Sequence, residues 1–302
     1  MTTHHVIQQA FSVGYSFPVV FTQGVFDSGN PVLVQMLTRL GEPGPHRVLA
    51  YVDAGVAQAF PGLADQVAHY ARAHADSLEL LAAPHVVPGG EAIKNDLPGF
   101  VGRLDELVDR RMCRHSVVLV VGGGAVLDAV GFAASLVHRG LRLVRVPTTV
   151  LAQNDSGVGV KNAINYRSTK NLLGTFAPPF AVINDLNFLR TLSDAAWTDG
   201  IAEAFKVAII KDRPFFEWLC ARATALRARD ETAMSYLVRR CAELHLEHIR
   251  TSGDPFEFGQ ARPLDFGHWS AHRLESMTGY AVSHGRAVAI GLVLDAWYAV
   301  LN

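Results

Sequence analysis

The feature that most constrains this chain is an apolar run that ends in three consecutive glycines and continues as a helix. Residues 119–128 read Leu-Val-Val-Gly-Gly-Gly-Ala-Val-Leu-Asp, which predicts a buried strand, a tight turn and a helix that opens within four residues. Glycines there let backbone N–H groups approach a ligand phosphate, and the helix N-terminus adds partial positive charge. The segment therefore fits a pyrophosphate. A tight turn without a ligand fits the glycines equally well, and the spacing is not the G-x-G-x-x-G fingerprint.

The segments around this turn alternate between strands and helices. Strands are predicted at 47–52, 78–87, 116–121, 141–146 and 180–184, and a strand or hairpin is predicted at 11–21. Helices are predicted at 31–40, 56–76 and 125–138. A further helix follows the loop 88–94 and runs to about residue 111. This alternation is typical of a mostly parallel, Rossmann-like sheet with helices on its faces. From Ser193 the hydrophobic period becomes about 3.6, with Ser193 or Asp194 as the cap. We predict an α/β domain at 1–192 and an all-helical domain at 193–302.

Composition excludes several functional classes. The 302 residues carry a formal net charge of −1, so nothing favours a nucleic-acid or anionic-membrane partner. The three cysteines are too scattered for a disulfide framework or a CxxC zinc site, which predicts free thiols in a reducing compartment. No leader pattern and no apolar run of about 18 residues is seen, so we expect a cytoplasmic protein.

Polar residues follow the predicted strands at their carboxyl ends, where ligands of parallel sheets bind. Asp53 follows an early strand and is a candidate for the adenosine ribose hydroxyls, although a helix N-cap is an equally good reading. Thr148 and Thr149 follow a later strand. The next segment, 153–176, is polar and rich in glycine and lysine, and is predicted to be a long functional loop.

The helical half holds a cluster of candidate metal ligands. Glu203 and Lys206 lie three residues apart on one helix face, which taken alone predicts a surface ion pair. His268 and His272 are four residues apart and share a face, and His284 follows after a turn. Two histidines and a carboxylate make the three-ligand set with an open position that catalytic zinc uses. Histidine pairs at this spacing also occur as ordinary helix residues.

Eight motifs in chain order carry a family resemblance. They are GGGAVLD at 122–128, RG at 139–140, VPTTVLA at 146–152, DSGVGVK at 155–161, KN at 170–171, AEAFK at 202–206, FGHWSAH at 266–272 and HG at 284–285. In these motifs the chain resembles 3-dehydroquinate synthase and the related sugar phosphate cyclases. A weaker resemblance to glycerol-dehydrogenase-like enzymes fits DSGVGVK and KN less well. The family resemblance implies an active site in the cleft between the two domains.

The resemblance also implies roles for individual residues. The zinc ligands would be Glu203, His268 and His284, with cobalt as an alternative ion, and His272 would stay beside them without binding the metal. Contacts to NAD would come from Asp53, Glu91, Lys94, Gly123, Gly124, Asp128, Thr148, Thr149, Lys170 and Thr191. The substrate would be contacted by Asp155, Lys161, Asn171 and Lys206. Arg139 matches an arginine that reaches the phosphate in a neighbouring subunit, which implies a homodimer.

The implied reaction is cyclisation of a sugar phosphate to a carbocycle with loss of phosphate, by transient oxidation, β-elimination, reduction and aldol closure. Three departures from dehydroquinate synthases bear on the substrate. Asp265 stands where an asparagine is usual. Ala261 stands where an arginine is expected, and the nearest arginine, Arg262, is displaced by one residue. The position where a lysine is expected upstream falls near Glu247. These changes remove positive charge that a substrate carboxylate needs.

We therefore expect a sugar phosphate without a carboxylate, in a branch tied to secondary metabolism, with Asp265 as a further candidate active-site residue. Two other functions stay open. One is a metal-dependent NAD polyol or alcohol dehydrogenase on the same fold. The other is a non-catalytic NAD-binding scaffold protein, which the intact Glu203, His268 and His284 disfavour.

Overall fold

The structure is a computed structural model that describes residues 4–167, 169–252, 254–256, 259, 263–279 and 281–301. Ala261 and Arg262, which bear on the expected substrate, lie outside the described residues. Among the residues described, no helix combines the length and apolar character needed to cross a membrane.

The first half is built on a parallel sheet. Its strands and those of a separate hairpin are β1 Val19–Thr22, β2 His46–Asp53, β3 Leu78–Leu80, β4 His85–Val87, β5 Val117–Gly122, β6 Arg142–Pro147, β7 Lys161–Tyr166, β8 Thr169–Phe176 and β9 Ala181–Asp185. The sheet order is β1-β9-β6-β5-β2-β3, with β4 also paired to β2, and all of these pairs are parallel. β7 and β8 form the antiparallel hairpin.

Helices flank the sheet and fill the second half. They are α1 Val32–Thr38, α2 Ala54–Ala59, α3 Leu63–Ala73, α4 Ala92–Asn95, α5 Leu97–Asp109, α6 Gly124–Leu136, α7 Asp194–Lys211, α8 Arg213–Arg227, α9 Glu231–Thr251, α10 His268–Met277 and α11 His284–Leu301. The Ser193 hydroxyl caps α7 by accepting from the Ala196 N–H at 3.3 Å. The predicted α/β sheet followed by helices is confirmed.

Strand register sets the carboxyl edge of the sheet. Val121 on β5 is level with Val52 on β2, and Gly122 is level with Pro147 on β6. Successive residues of β2 face opposite sides, and both sides are buried, which is why these strands read as continuous apolar runs. The residues that follow β2, β5 and β6 therefore emerge at one edge.

Several predicted elements were wrong in detail. Within the segment 11–21 only residues 19–21 belong to a strand, β1, which pairs with β9, and there is no hairpin in that segment. The predicted helix 56–76 is interrupted at Pro61-Gly62, and the strand 78–87 is two short strands. The segment 153–176 is not a long loop, because it forms a π-helical turn at 152–156 and the β7–β8 hairpin.

The hairpin was missed because its buried polar residues resemble loop residues in the sequence. Asn162 and Asn165 on β7 are 2% and 9% exposed. The side-chain oxygen Oδ1 of Asn162 accepts from Arg145 at 2.7 Å, and the side-chain amide of Asn165 donates to the Glu91 carboxylate at 2.8 Å. These hydrogen bonds permit asparagines inside a packed strand.

Candidate active site

Three side chains from three helices converge on one point. Glu203 lies on α7, while His268 and His284 are the first residues of α10 and α11. Oε1 of Glu203 is 3.4 Å from Nε2 of His268 and 3.4 Å from Nε2 of His284. Glu203 is fully buried. Two imidazole nitrogens and a carboxylate oxygen suit zinc or a related divalent ion, and three protein ligands leave a coordination position open. The donor set therefore fits the metal that the sequence implied.

The i, i+4 histidine pair does not supply both imidazole donors. His272 is exposed, and its ring centroid lies 5.5 Å from that of His268 and 5.9 Å from that of His284. Its place is beside the three converging donors.

A buried lysine lies next to the Glu203 carboxylate. Nζ of Lys206 is 2.5 Å from Oε2 of Glu203, and both side chains are almost completely buried. The surface ion pair predicted from spacing alone was therefore wrong, because α7 is enclosed by α8, α9 and α11. Burial lowers the pKa of Lys206, but the charges of Asp155 and Glu203 outweigh it and raise that pKa above its ordinary value. Lys206 is a permanent cation here.

Asp155 is held by a histidine that the sequence analysis missed. It lies in the π-helical turn, and its Oδ1 is 3.1 Å from Nδ1 of His245 on α9. Burial raises the pKa of Asp155, but the positive charges of Lys206 and His245 lower it to about 2. Glu247, near which a lysine was expected, instead pairs with Arg250 on the exposed face of α9. His245 lies about one helical turn after the buried Cys241, so both residues share a helix face. This spacing could have indicated from the sequence that His245 faces inward.

Glu275 is a second residue that the sequence analysis missed. It lies on α10, is 4% exposed and contacts both Lys170 and His284. Burial raises the pKa of Glu275, but the hydrogen bond to His284 and the charge of Lys170 lower it to about 2. Glu275 lies seven residues after His268 and therefore on the same helix face, and this spacing could have identified it from the sequence.

The glycine turn has the properties of a phosphate cradle. Gly123 caps α6 without any side-chain hydrogen bond, so the first N–H groups of the helix have no capping side chain. A Cβ on Gly124 would lie 2.6 Å from the Ser156 hydroxyl, so the absence of a Cβ at residue 124 lets Ser156 approach the turn closely. The Thr148 hydroxyl oxygen is buried with no hydrogen-bond partner in the described part of the chain. An anionic, hydrogen-bonding ligand such as a dinucleotide fits this edge.

Asp53 caps a helix at the same edge. Its Oδ1 accepts from the Gly55 N–H at 2.7 Å, so the N-cap reading is present in the structure. A Cβ on Gly89 would lie 2.4 Å from Oδ1 of Asp53, which places the 88–94 loop against that carboxylate. The adenosine ribose role of Asp53 stays a prediction.

Three residues predicted to contact NAD, and Asn171, predicted to contact the substrate, belong to one hydrogen-bonded cluster. Nζ of Lys94 donates to Oδ2 of Asp128 and to Oδ1 of Asn171, each at 2.6 Å. Asn171 has a left-handed backbone with φ of 54°, and its N–H donates to Asn165. Glu91 accepts from Asn165 as well. The hairpin, α4 and α6 thus meet in one polar cluster beside the glycine turn.

Of the remaining candidates, Thr149 lies beside the glycine turn, since a Cβ on Gly123 would be 3.4 Å from its Cγ2, and the others are exposed. Thr149 accepts from the Ala152 N–H, and Thr191 is exposed at the end of the 3₁₀ turn Leu186–Thr191. Lys161 is exposed at the start of β7, and Asp265 is exposed three residues before His268.

Arg139 follows the opposite end of α6, about 20 Å from the glycine turn at 1.5 Å per residue. It therefore does not join the site of its own chain, and its place in a homodimer stays a prediction.

Comparison with known proteins assigns the chain to a family. Residues 84–199 match the sequence model of the 3-dehydroquinate synthase N-terminal domain, and residues 200–302 match that of the 3-dehydroquinate synthase C-terminal domain. The chain belongs to the 3-dehydroquinate synthase family. A 3-dehydroquinate synthase from a Nitratiruptor species is 40% identical over 216 residues, which are 71% of this chain and 60% of that protein. The chain thus spans about 60% of the length of this curated relative.

Solved structures share the fold of this chain. The 2-epi-5-epi-valiolone synthase ValA from Streptomyces hygroscopicus subsp. jinggangensis 5008, with NAD+ and Zn2+ bound, has a TM-score of 0.82 and 30% identity and covers 95% of this chain and 75% of its own. A 2-deoxy-scyllo-inosose synthase complexed with carbaglucose-6-phosphate, NAD+ and Co2+ has a TM-score of 0.71 and 23% identity. The match covers 92% of this chain and 71% of that one. The second likeness concerns the fold alone.

Proposed function

We propose that the chain is an NAD- and zinc-dependent sugar phosphate cyclase, a carbon–oxygen lyase that expels phosphate and closes a carbocycle. The observation that carries this is the convergence of Glu203, His268 and His284, together with the buried Lys206 and the half-buried Asp155, whose charges act on each other. The relative with NAD+ and Zn2+ bound supports the choice of cofactors.

The proposed cofactor contacts are the glycine turn and the threonines after β6 for NAD, and the Glu203 set for the metal. When bound, these groups would supply a Lewis acid for a substrate hydroxyl and a reversible hydride acceptor. The protein contributes placement of the substrate and stabilisation of charge.

Lys206 and Asp155 have fixed charges in this scheme. Because the pKa of Lys206 is raised above its ordinary value, its ammonium group donates hydrogen bonds to a developing oxyanion and does not serve as a base. With a pKa of about 2, Asp155 stays ionised and orients Lys206 and His245. A base for proton removal from carbon must therefore come from elsewhere, and the departing phosphate itself has the necessary oxygen.

The proposed substrate is a ketose phosphate without a carboxylate. Asp265 places a negative charge three residues before the ligand His268, and Glu247 is paired with Arg250 at the surface. A carboxylate-bearing substrate needs cations at such positions, since an unpaired anion in a closed site is costly.

A phosphate-release assay tests the function. We expect one of a series of C6, C7 and C8 ketose phosphates, offered with and without a carboxylate, to release inorganic phosphate with no net NADH. A dehydrogenase would instead accumulate NADH in step with product. Binding of NAD without any metal or turnover would favour the scaffold alternative, and preference for the carboxylated sugar would contradict the proposed substrate.

Lys161 is expected to bind the substrate phosphate. Lys161→Ala should weaken binding of phosphate-bearing substrates by about 1.5–3 kcal/mol, the scale of a hydrogen bond to a charged group. Steady-state kinetics measure this, with Lys211→Ala, an exposed lysine at the end of α7, as the control. Unchanged KM and kcat in Lys161→Ala would exclude the role.

A further inference from the structure

One buried carboxylate connects the proposed metal site to the β7–β8 hairpin. Oε2 of Glu275 lies 3.2 Å from Nδ1 of His284, and its Oε1 accepts from Nζ of Lys170 at 3.0 Å. Lys170 lies on β8, 105 residues earlier in the chain, so this ion pair joins the hairpin to α10. Both oxygens of Glu275 therefore have a partner.

The contact at Nδ1 determines what the other nitrogen of His284 can do. When Nδ1 carries the proton and donates it to a carboxylate, Nε2 keeps a free lone pair. Nε2 is the atom that faces Oε1 of Glu203, at 3.4 Å. Glu275 thus selects the tautomer and the ring orientation that a metal ion at the Glu203 set requires.

A direct ligand role for Glu275 fits less well. Ligand atoms of His272, Glu275 and His284 do lie within 4.8 Å of one another. A metal ion there would have to displace both Lys170 and the Nδ1 contact from Glu275, and His272 is exposed. The geometry places Glu275 behind His284, on the side away from Glu203.

Lys170 holds this carboxylate from the side of the hairpin. Glu275 is 4% exposed, and its Oε1 accepts from Nζ of Lys170 at 3.0 Å. Lys170 is itself 27% exposed at its side chain, so it reaches Glu275 from the solvent side of the contact. Loss of Lys170 leaves the buried anion with the imidazole as its remaining described partner.

We propose that Glu275 is a positioning residue that orients His284 for metal binding, and that Lys170 makes this orientation depend on the β7–β8 hairpin. The proposal rests on the metal ligands of the proposed function. It makes the affinity for metal a property of two segments that lie far apart in the sequence.

Metal affinity is the direct test. The zinc dissociation constant of the whole chain is measured by competition with a chromogenic chelator, for the wild type, Glu275→Ala, Glu275→Gln and Lys170→Met. We expect Glu275→Ala to weaken zinc binding about 10- to 100-fold, the usual cost of losing such a partner. Glu275→Gln keeps an acceptor for Nδ1 but loses the ion pair, so it and Lys170→Met should show smaller losses.

Matched controls separate positioning from general destabilisation. Glu247→Gln and Lys211→Met change exposed residues of the same types and should keep the wild-type zinc affinity. The visible spectrum of the cobalt-substituted protein adds a readout of ligand geometry, which we expect to change in Glu275→Ala and Glu275→Gln but not in the controls.

The outcomes are decisive in both directions. Wild-type zinc affinity in a Glu275→Ala protein with an unchanged melting temperature would overturn the proposal. If Glu275→Ala does not fold, Glu275→Gln decides by the same criterion. Lys170→Met behaving like Lys211→Met would overturn the dependence on the hairpin. Because the readout is zinc binding, a failure to release phosphate from any sugar phosphate would refute the proposed function and leave this test valid.

Discussion

Replacing His268 with alanine should release the metal ion and abolish turnover while NAD still binds. The imidazole is one of three donors, with His284 and the fully buried carboxylate of Glu203, and its Nε2 lies 3.4 Å from Oε1 of that carboxylate. Two remaining donors cannot hold a divalent ion against solvent. We therefore expect metal affinity to fall by more than about 100-fold, which is more than the loss caused by removing a hydrogen-bond partner of a ligand. The glycine turn lies on a different element and is unchanged by the substitution.

Three measurements on the purified variant check this expectation. They are the zinc-to-protein ratio after dialysis, NAD binding by calorimetry, and phosphate release. His272→Ala is the matched control, because this histidine lies one turn further on the same helix and is exposed. We expect it to retain zinc. A stoichiometric zinc content in His268→Ala would mean that the ligand set is wrong.

Arg145→Met should produce the largest loss of stability among single substitutions in the sheet. Arg145 lies on β6, is completely buried and donates to the carbonyl oxygens of Gly157, Gly159 and Lys161 and to the Asn162 side chain. Burial lowers the pKa of this guanidinium to about 10, so it still carries its charge at neutral pH. Methionine fills much of the volume but removes the guanidinium donor from three buried acceptors and from the half-buried Lys161 carbonyl oxygen.

We expect the free energy of unfolding to fall by about 3–5 kcal/mol in Arg145→Met, the range for removing one member of a buried charged network. Urea unfolding measures it. Arg47→Met is the matched control, since Arg47 also donates to two carbonyl oxygens, those of Arg110 and Arg111, but is 37% exposed. We expect the free energy of unfolding to fall by less than about 1 kcal/mol in Arg47→Met. Equal losses in the two variants would show that burial of Arg145 adds nothing.

The sheet could be predicted from the sequence because its strands are buried on both faces. Val117–Gly122 is buried at every position, so the apolar run is visible without knowledge of its neighbours. The β7–β8 hairpin could not be predicted in this way. Its asparagines are buried only because Arg145 and Glu91 lie within hydrogen-bonding distance, and neither contact has a local signal in the sequence.

The candidate site likewise contains residues that could be identified from the sequence and residues that could not. Glu203, His268 and His284 could be selected because their residue types limit the chemistry that they support. Spacing alone placed Glu203 and Lys206 at the surface, since a helix period does not reveal how many neighbours enclose a helix. His245 and Glu275 were missed because their roles depend on Asp155 and on Lys170, which are remote in sequence.

The three donors lie on three helices, separated by 65 and 16 residues of chain. An unfolded chain does not hold them together, so a cation that binds the native state stabilises it by mass action. At a free concentration 1,000 times its dissociation constant, the ion adds about 4 kcal/mol. Metal supply would then govern how much of this polypeptide survives in folded form, quite apart from how fast it turns over a sugar.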